Sequence, residues 1–566
     1  MNILGIIFES ELPSAAAIIS DGRILAAVQE ERLNRIKYTD IFPEKSVEFC
    51  FKKSGIAPSE IDFIIYPYSI WLNTLAKIYL GLRLFPDSIF FYLNNRDEFK
   101  HNSLKIKRRF NNLLSLATKS EFACVEHHIA HAAGAFFQSP YKKANIVTLD
   151  GRGELDSCGL WIGKDNKIFP WKRIRVPHSL GFVYSLFTSF LGFRPGKDES
   201  KIMALAAFGQ PEYYNEFKKI IRLSSKGGFY LDLDYFDYKN GRLNYPNKTT
   251  FSSKKLTGIF GYPRINNTPI TTKEYNIAAS LQKRLEDIVL YMTNYFYQET
   301  KIDNLCLSGG IMLNAVMNGK LKENTPFKNI YIQPNPSDAG CSIGGALYYY
   351  YKKTSAKRIL LPQTDFLGPD YADIEIQKAI NSSGLNYTYC KNIEKTTAEL
   401  LSLNKIIGWF QERMEFGPRA LGNRSILAHP GNLHLKNVLL EIKNRREFNP
   451  FAVTILSEYL QEYFNSPSGS PYMQFVYKVC KTKKRKIPAV IHIDNSIRVQ
   501  CIDEQNNPKF RKLINEFYRL TGIPMVLNTS FNRGDEPIVC SPADAINCYL
   551  NSRIDILVLG NYMLKK

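Results

Sequence analysis

The 566-residue chain reads as an α/β protein of two domains. Three observations predict that class. Short apolar strands run through Asp or Gly turns into helices, as in NIVTLDGRG and NLCLSGGIMLN, the pattern of an α/β nucleotide-handling domain. The length exceeds what one compact core supports. Around residues 352–370, KKTSAKRILLPQTDFLGPDY, Pro, Gly and polar residues rise, periodicity lapses, and fresh strands follow. The boundary there predicts domains at 1–355 and 356–566.

Taken in order, ILGIIF opens the chain as a strand. AAAIISDGRILAAVQEE follows as two apolar runs hinged on Ser20-Asp21-Gly22-Arg23, a hairpin signal. Residues 45–120 read as an aromatic, helical insertion, and VEHHIAHAAGAFF as the next helix. NIVTLD is a strand that ends at Asp150 and the turn of Gly151 and Gly153. NLCLSGG enters the Gly309-Gly310 turn and a helix, and NIYIQP leads through PSDAG into the small-residue helix CSIGGALYYY. Beyond the boundary, KIIGWF, FAVTILS, AVIHI, IRVQCI and PMVLNTSF read as strands.

Composition narrows the class. Ten cysteines without paired spacing argue against a disulfide framework and a zinc module, and fit a reducing cytoplasm. The most apolar stretch, from Trp71 to Leu93, is broken by Lys77, Arg83, Pro86 and Asp87, so no spanning helix is expected. Its aromatic residues also offer a contact surface for a sugar or lipid-linked molecule. The N-terminus has neither the basic start nor the apolar core of a signal peptide. Net charge is +21, with denser runs at KIKRRF (Lys105) and KTKKRKIP (Lys481); these read as solvated loops, so no nucleic acid is expected as a partner.

Three of eight histidines fall within five residues, at His127, His128 and His131. On a helix, positions i and i+4 share a face, so His127 and His131 can aim two imidazoles at one atom while His128 turns away. Taken alone, the pair fits helix-terminal histidines bonded to backbone equally well. Asp150 at its strand end and Asp338 in PSDAG supply carboxylates. Two imidazoles and one or two carboxylates make a mixed N/O site with open positions that suits Fe²⁺, Mn²⁺ or Zn²⁺. The turn of Ser308, Gly309 and Gly310 lets backbone N–H groups approach an anion, a weak signal alone and stronger in order with LDGRGE and PSDAG. In the second half, Arg419, Asn423 and Arg424 surround a Gly-Pro turn; Lys443, Arg445, Arg498, Asn528 and Ser530 lie at strand or helix ends. Such groups suit phosphate-bearing substrates, and surface salt bridging is the bland alternative for KNRRE.

HHIAHA, LDGRGE, LSGGIMLN and PSDAG, with EERLNR and SLGF, resemble the O-carbamoyltransferase family of the nodulation-factor, cephamycin and nebramycin enzymes over essentially the whole chain. The resemblance implies a two-lobed N-terminal domain of the actin, sugar-kinase and Hsp70 superfold (Kae1-like), fused to an α/β YrdC/Sua5-like domain. It implies that carbamoyl phosphate and ATP, with Mg²⁺, form carbamoyl-adenylate in the second domain. Lys443, Arg445, Arg498 and Ser530 would neutralise the phosphates there, with Arg419, Asn423, Arg424 and Asn528 binding substrate. The carbamoyl group would then pass to an acceptor hydroxyl at the metal held by His127, His131, Asp150 and Asp338, with Ser308, Gly309, Gly310 and Asn314 cradling nucleotide. The acceptor would be a sugar or natural product, and a homodimer is an open arrangement. A tRNA threonylcarbamoyl transferase-like enzyme and an inactive nucleotide-binding homologue are the alternatives. Departures from the family pattern fall at Leu12-Pro13, Tyr38, Ser200, Ala204, Arg446 and Asn449.

Overall fold

A computed structural model describes residues 1–8, 13–83, 120–236, 253–360 and 364–566. By contacts these fall into two compact units, Met1–Leu25 with Ser54–Leu361, and Ala26–Lys53 with Pro362–Lys566. Part of the aromatic stretch (84–93) and the Lys105 run lie outside the described residues, as does Leu12. Among the described residues no helix is long and apolar enough to cross a membrane.

The first unit is built on two five-stranded sheets. One holds β1 (Asn2–Ile7), β2 (Ala15–Ser20), β3 (Arg23–Gln29), β4 (Phe63–Tyr66) and β5 (Glu121–Cys124) in the order β3-β2-β1-β4-β5. The other holds β6 (Lys143–Leu149), β7 (Asp156–Lys164) and β8 (Lys167–Arg175), then, after the small hairpin β9 (Ile221–Ser224) and β10 (Gly228–Leu231), β11 (Asn304–Ser308) and β12 (Asn329–Ile332). Its order is β8-β7-β6-β11-β12. Counted along the chain, both sheets run third, second, first, fourth, fifth. In each, the first strand pairs antiparallel with the second and parallel with the fourth, and the fourth pairs parallel with the fifth. The N-terminal half is thus a duplicated α/β topology, the two-lobed plan expected of it.

The hairpin is where the sequence places it: Asp21 and Gly22 both have positive φ, as a two-residue turn between twisted strands requires. The expected helical insertion is different. FIIY forms β4, paired to β1 in the first sheet, between the helices Glu44–Ser54 and Ile70–Arg83. A four-residue apolar run carries no periodicity that separates a buried strand from a helix.

The two sheets meet the site through one close helix contact. The histidine helix, His127–Gln138, packs against the helix Cys341–Thr354. A Cβ at Gly344 would lie 2.0 Å from the Ala130 carbonyl oxygen, so only glycine permits that approach. The small residues of HIAHAAGA and CSIGGA are therefore the reason Asp338 and Cys341 come up beside the histidines.

The second unit has a nine-stranded sheet: β13 (Tyr387–Tyr389), β14 (Ile407–Phe410), β15 (Arg424–Ala428), β16 (Ala452–Leu456), β17 (Phe475–Lys478), β18 (Ser496–Ile502), β19 (Met525–Ser530), β20 (Ile556–Leu559) and β21 (Tyr562–Lys565). The order is β13-β21-β20-β14-β15-β19-β16-β18-β17. AVIHI is no strand: Pro488 opens a 3-10 turn over Pro488–Val490, and the buried Ala489 gives its N–H to the Pro430 carbonyl at 3.0 Å. The basic run Lys481–Lys486 is likewise a 3-10 turn. EERLNR belongs to this unit, and its charges fasten it there. Arg32 donates to the Gly417 carbonyl at 3.1 Å, while Arg35 donates to those of Pro537 and Ile538 at 2.9 and 2.6 Å.

Candidate active sites

His127 and His131 are both fully buried on one face of their helix. Their Nε2 atoms lie 3.2 Å apart. Asp150 Oδ2, one residue past β6, is 3.3 Å from His127 Nε2 and 3.7 Å from His131 Nε2. Asp338 Oδ1, opening the 3-10 turn Asp338–Gly340, is 3.3 and 3.2 Å from the same two atoms. An ion bound about 2.1 Å from each donor separates neighbouring donors by roughly 3.0 to 3.4 Å. The four donors are spaced to hold one cation.

Hydrogen bonding fixes which ring nitrogens face that point. His127 Nδ1 lies 3.2 Å from the Pro67 carbonyl, which can only accept, so Nδ1 carries the proton. For His131 the chain is longer. Gln333 Nε2 donates to the Gly340 carbonyl at 3.1 Å, which turns Gln333 Oε1 toward Ser308. The Ser308 hydroxyl donates to that oxygen at 2.8 Å, so its lone pair receives His131 Nδ1–H at 3.0 Å. Both Nε2 atoms then present bare lone pairs to each other, repulsive unless a cation sits between them. Glu154 accepts the His127 backbone N–H at 3.2 Å and seats the start of the helix.

The site's charges agree. Burial alone would keep the two imidazoles neutral, but Cys341, Asp150 and Asp338 outweigh it and hold both pKa values well above the ordinary histidine range. Burial alone would also raise Asp150, and the two imidazoles reverse that, holding it well below the usual carboxylate range. The cup favours positive charge, proton or metal. His128 faces away, as its spacing predicts, bonded to Thr148 Oγ1 and the Asp156 carbonyl at 2.8 and 3.0 Å; burial lowers its pKa to about 3.

The turn Ser308-Gly309-Gly310 lies at this centre in a supporting position. Gly310 N–H donates to Asp150 Oδ1 at 3.0 Å, leaving Oδ2 for the ion, and Gly309 N–H donates to the Pro336 carbonyl at 2.8 Å. Gly309 has φ +102°, and a Cβ there would sit 2.1 Å from the Leu149 carbonyl oxygen. Asn314 caps the helix Ala315–Asn324 through Met317 N–H at 3.0 Å and pairs with Gln282. These groups are engaged with the protein in the positions where a nucleotide cradle was expected. Ser308→Ala is expected to weaken metal affinity by about ten- to a hundredfold while leaving all four ligands in place, measured by chelator competition.

The second unit gathers cations. Arg498 on β18, Ala452 on β16 and Asn528 on β19 stand in one register across the sheet, so Arg498 and Asn528 flank Ala452 from its two neighbouring strands. Arg419, Arg445 and Arg498 have no carboxylate partner among the described residues, and Arg498 Nε is buried without a hydrogen bond. Burial and then mutual repulsion depress the group: Arg419 falls to about 10, with Arg445 beside it, and Arg498 falls well below its ordinary value next to Arg419 and Arg445. Lys443, 2% exposed, donates to the Ser530 hydroxyl at 2.8 Å, the Ser530 carbonyl at 2.8 Å, the Asn532 carbonyl at 3.0 Å and the Asn532 side-chain oxygen. Burial, then Arg445 and also Lys37, hold its pKa well below the usual lysine range. Lys443 is buried, Arg419 and Arg498 are half-buried and Arg445 is exposed. The four like charges therefore crowd a partly open site, and their mutual repulsion is relieved when an anion arrives.

Other residues of the expected set lie beside this cluster and face inward. Arg424 is fully buried, stacked 3.7 Å over Phe410, and gives its terminal N–H groups to the carbonyls of Gln411, Asn423, Pro369 and Glu412. Asn423 bonds the Arg413 carbonyl and Asn507, and Asn528 bonds Thr454, Gln500 and the Ala420 carbonyl. Lys37, Gln333, Glu154 and Cys341 were missed as site residues. Only Cys341 had a sequence signal, three residues after Asp338 and so on the same helical turn.

The chain is 36% identical to an uncharacterized protein, sll1178, of Synechocystis sp. over 98% of its length and 95% of that protein's. It is 33% identical to the nodulation protein NolNO of Sinorhizobium fredii, covering 98% of this chain and 78% of that one, and 26% identical to nodulation protein U of Rhizobium tropici, covering 94% and 91%. The profile of the carbamoyltransferase N-terminus matches residues 2–347 and that of the carbamoyltransferase C-terminus residues 398–566. With both halves matched in order, the chain belongs to the carbamoyltransferase family and is a carbamoyl-transfer enzyme.

Proposed function

We propose that the chain is an ATP-dependent O-carbamoyltransferase in which the second unit activates carbamoyl phosphate and the first delivers the carbamoyl group to an acceptor hydroxyl. The observation that carries this reading is the unpaired cluster of Arg419, Arg445 and Arg498 around buried Lys443. Three planar forks and one ammonium, short of counter-ions, match two phosphate-bearing substrates, carbamoyl phosphate and ATP, better than a single carboxylate. In that pocket the guanidinium groups bind the phosphate oxygens and hold them against their own repulsion. Water releases inorganic phosphate from carbamoyl phosphate, and the remaining carbamate oxygen attacks the α-phosphorus of ATP, expelling pyrophosphate and leaving carbamoyl-adenylate. Lys443, its N–H groups held by Ser530 and Asn532, sets its positive charge beside the phosphates as negative charge builds.

In the first unit His127, His131, Asp150 and Asp338 would hold the divalent ion. When bound, such an ion acts as a Lewis acid toward a carbonyl or phosphoryl oxygen. The protein's own part is to keep both imidazoles in the Nε2-bare tautomer through Pro67 and Ser308, and to aim Asp150 through Gly310. Burial of the pair excludes water, against which a carbamoyl-adenylate is unstable. The acceptor hydroxyl would attack the carbamoyl carbon and AMP would depart.

The test is to incubate the enzyme with carbamoyl phosphate and ATP without any acceptor. Release of pyrophosphate that requires both substrates supports the reading. ATP turnover that ignores carbamoyl phosphate overturns it.

A further inference from the structure

Cys341 is the first residue of the helix Cys341–Thr354 and is fully buried. Its thiol belongs to a second set of metal-binding side chains: His127, His131 and Cys341 offer donor atoms that all lie within 4.8 Å of one another. The same two imidazoles therefore serve two donor sets, one closed by Asp150 and Asp338 and one closed by sulfur. What makes the thiol more than a packed core residue is the state of its neighbours. Both rings are fully buried and turn Nε2 to the same spot, 3.2 Å apart, while Pro67 and Ser308 hold them by Nδ1.

We propose that Cys341 is a ligand of the metal centre, giving the cup a sulfur donor beside its two nitrogens and two carboxylates; this rests on the reading that the imidazole pair holds an ion. On binding, the thiol loses its proton to solvent and a metal–sulfur bond forms, with no change in oxidation state. The consequence is metal choice. Nitrogen and carboxylate donors alone suit Mn²⁺ and Fe²⁺ alike, whereas a thiolate favours the softer ions, Zn²⁺ and Co²⁺ above Mn²⁺. The aspartates and the thiol complete two overlapping donor sets on one imidazole pair, so a hard ion draws on the aspartates and a thiophilic ion on Cys341.

The experiment loads metal-free full-length protein with Co²⁺ alone and records its absorption. The wild type is expected to show a near-ultraviolet thiolate-to-cobalt charge-transfer band that is missing in Cys341→Ser and Cys341→Ala. By chelator competition, Cys341→Ser is expected to lose at least about tenfold in Co²⁺ and Zn²⁺ affinity while Mn²⁺ affinity stays within about twofold. Retained Mn²⁺ binding also shows that the variant is folded. Cobalt that binds without a sulfur band, a band that survives in both variants, or Mn²⁺ affinity that falls in step with Zn²⁺ would each overturn the ligand assignment and leave the four-residue centre standing. Failure of the wild type to bind Co²⁺ at all would overturn the metal centre itself.

Discussion

Replacing Lys443 with alanine is expected to cut acceptor-independent pyrophosphate release from ATP and carbamoyl phosphate by at least about a hundredfold. Lys443 is the buried ammonium beside three guanidiniums and Lys37, and the protein grips it with four acceptors from Ser530 and Asn532 around Nζ. Those contacts fix where its charge sits, and Arg445 and Lys37 beside it oppose that charge until a phosphate is bound. Removing one well-aimed donor to a developing anion typically costs roughly a hundred- to a thousandfold. Because Lys443 is buried, Lys443→Met, close to it in length and apolar, separates the two roles. A lysine that merely fills its space would leave Lys443→Met active, whereas one whose charge and bonds to Ser530 and Asn532 serve the step leaves both variants dead and both folded, checked by thermal unfolding. Activity retained by Lys443→Met removes Lys443 from the activation step.

Much of this arrangement was legible in the sequence, for reasons that differ by residue. His127 and His131 could be paired because helical spacing alone puts i and i+4 on one face, and His128 could be set aside by the same geometry. Asp150 and Asp338 were legible because each closes a strand–turn that must end near the sheet edge. The role of Ser308-Gly309-Gly310 was not. Glycines at a strand end announce free amides, but only the fold shows that Gly310 N–H is taken up by Asp150 and the Ser308 hydroxyl by His131 and Gln333. Gln333 and Glu154 left no pattern at all, since their partners lie far away in sequence. Arg424 shows how far residue type reaches: arginine at a strand start beside a Gly-Pro turn reads as a phosphate ligand, and only the fold shows its planar group stacked on Phe410 and bonded to backbone carbonyls. Lys37 was hidden by chain order, because Ala26–Lys53 groups with the second unit although it precedes most of the first.

His127→Ala is expected to do the reverse of Lys443→Ala: pyrophosphate release without acceptor stays near the wild-type rate, while carbamoyl transfer and metal retention are lost. Groups that merely orient a ligand cost ten- to a hundredfold in affinity, so removing a ligand should exceed about a hundredfold. The loss should be larger than one donor alone explains. Without the ring at position 127, Asp150 loses one of the two imidazoles that hold its pKa down, and burial then favours its protonated form, which is a poorer ligand. His131→Ala removes the other imidazole beside Asp150 and should behave alike. Metal content by elemental analysis and transfer to a hydroxyl compound, each set against pyrophosphate release from the same preparation, read the separation directly. If His127→Ala and Lys443→Ala lose pyrophosphate release equally, activation and transfer are not divided between the two clusters, because a histidine that serves only the metal cup has no means of slowing chemistry at the arginines.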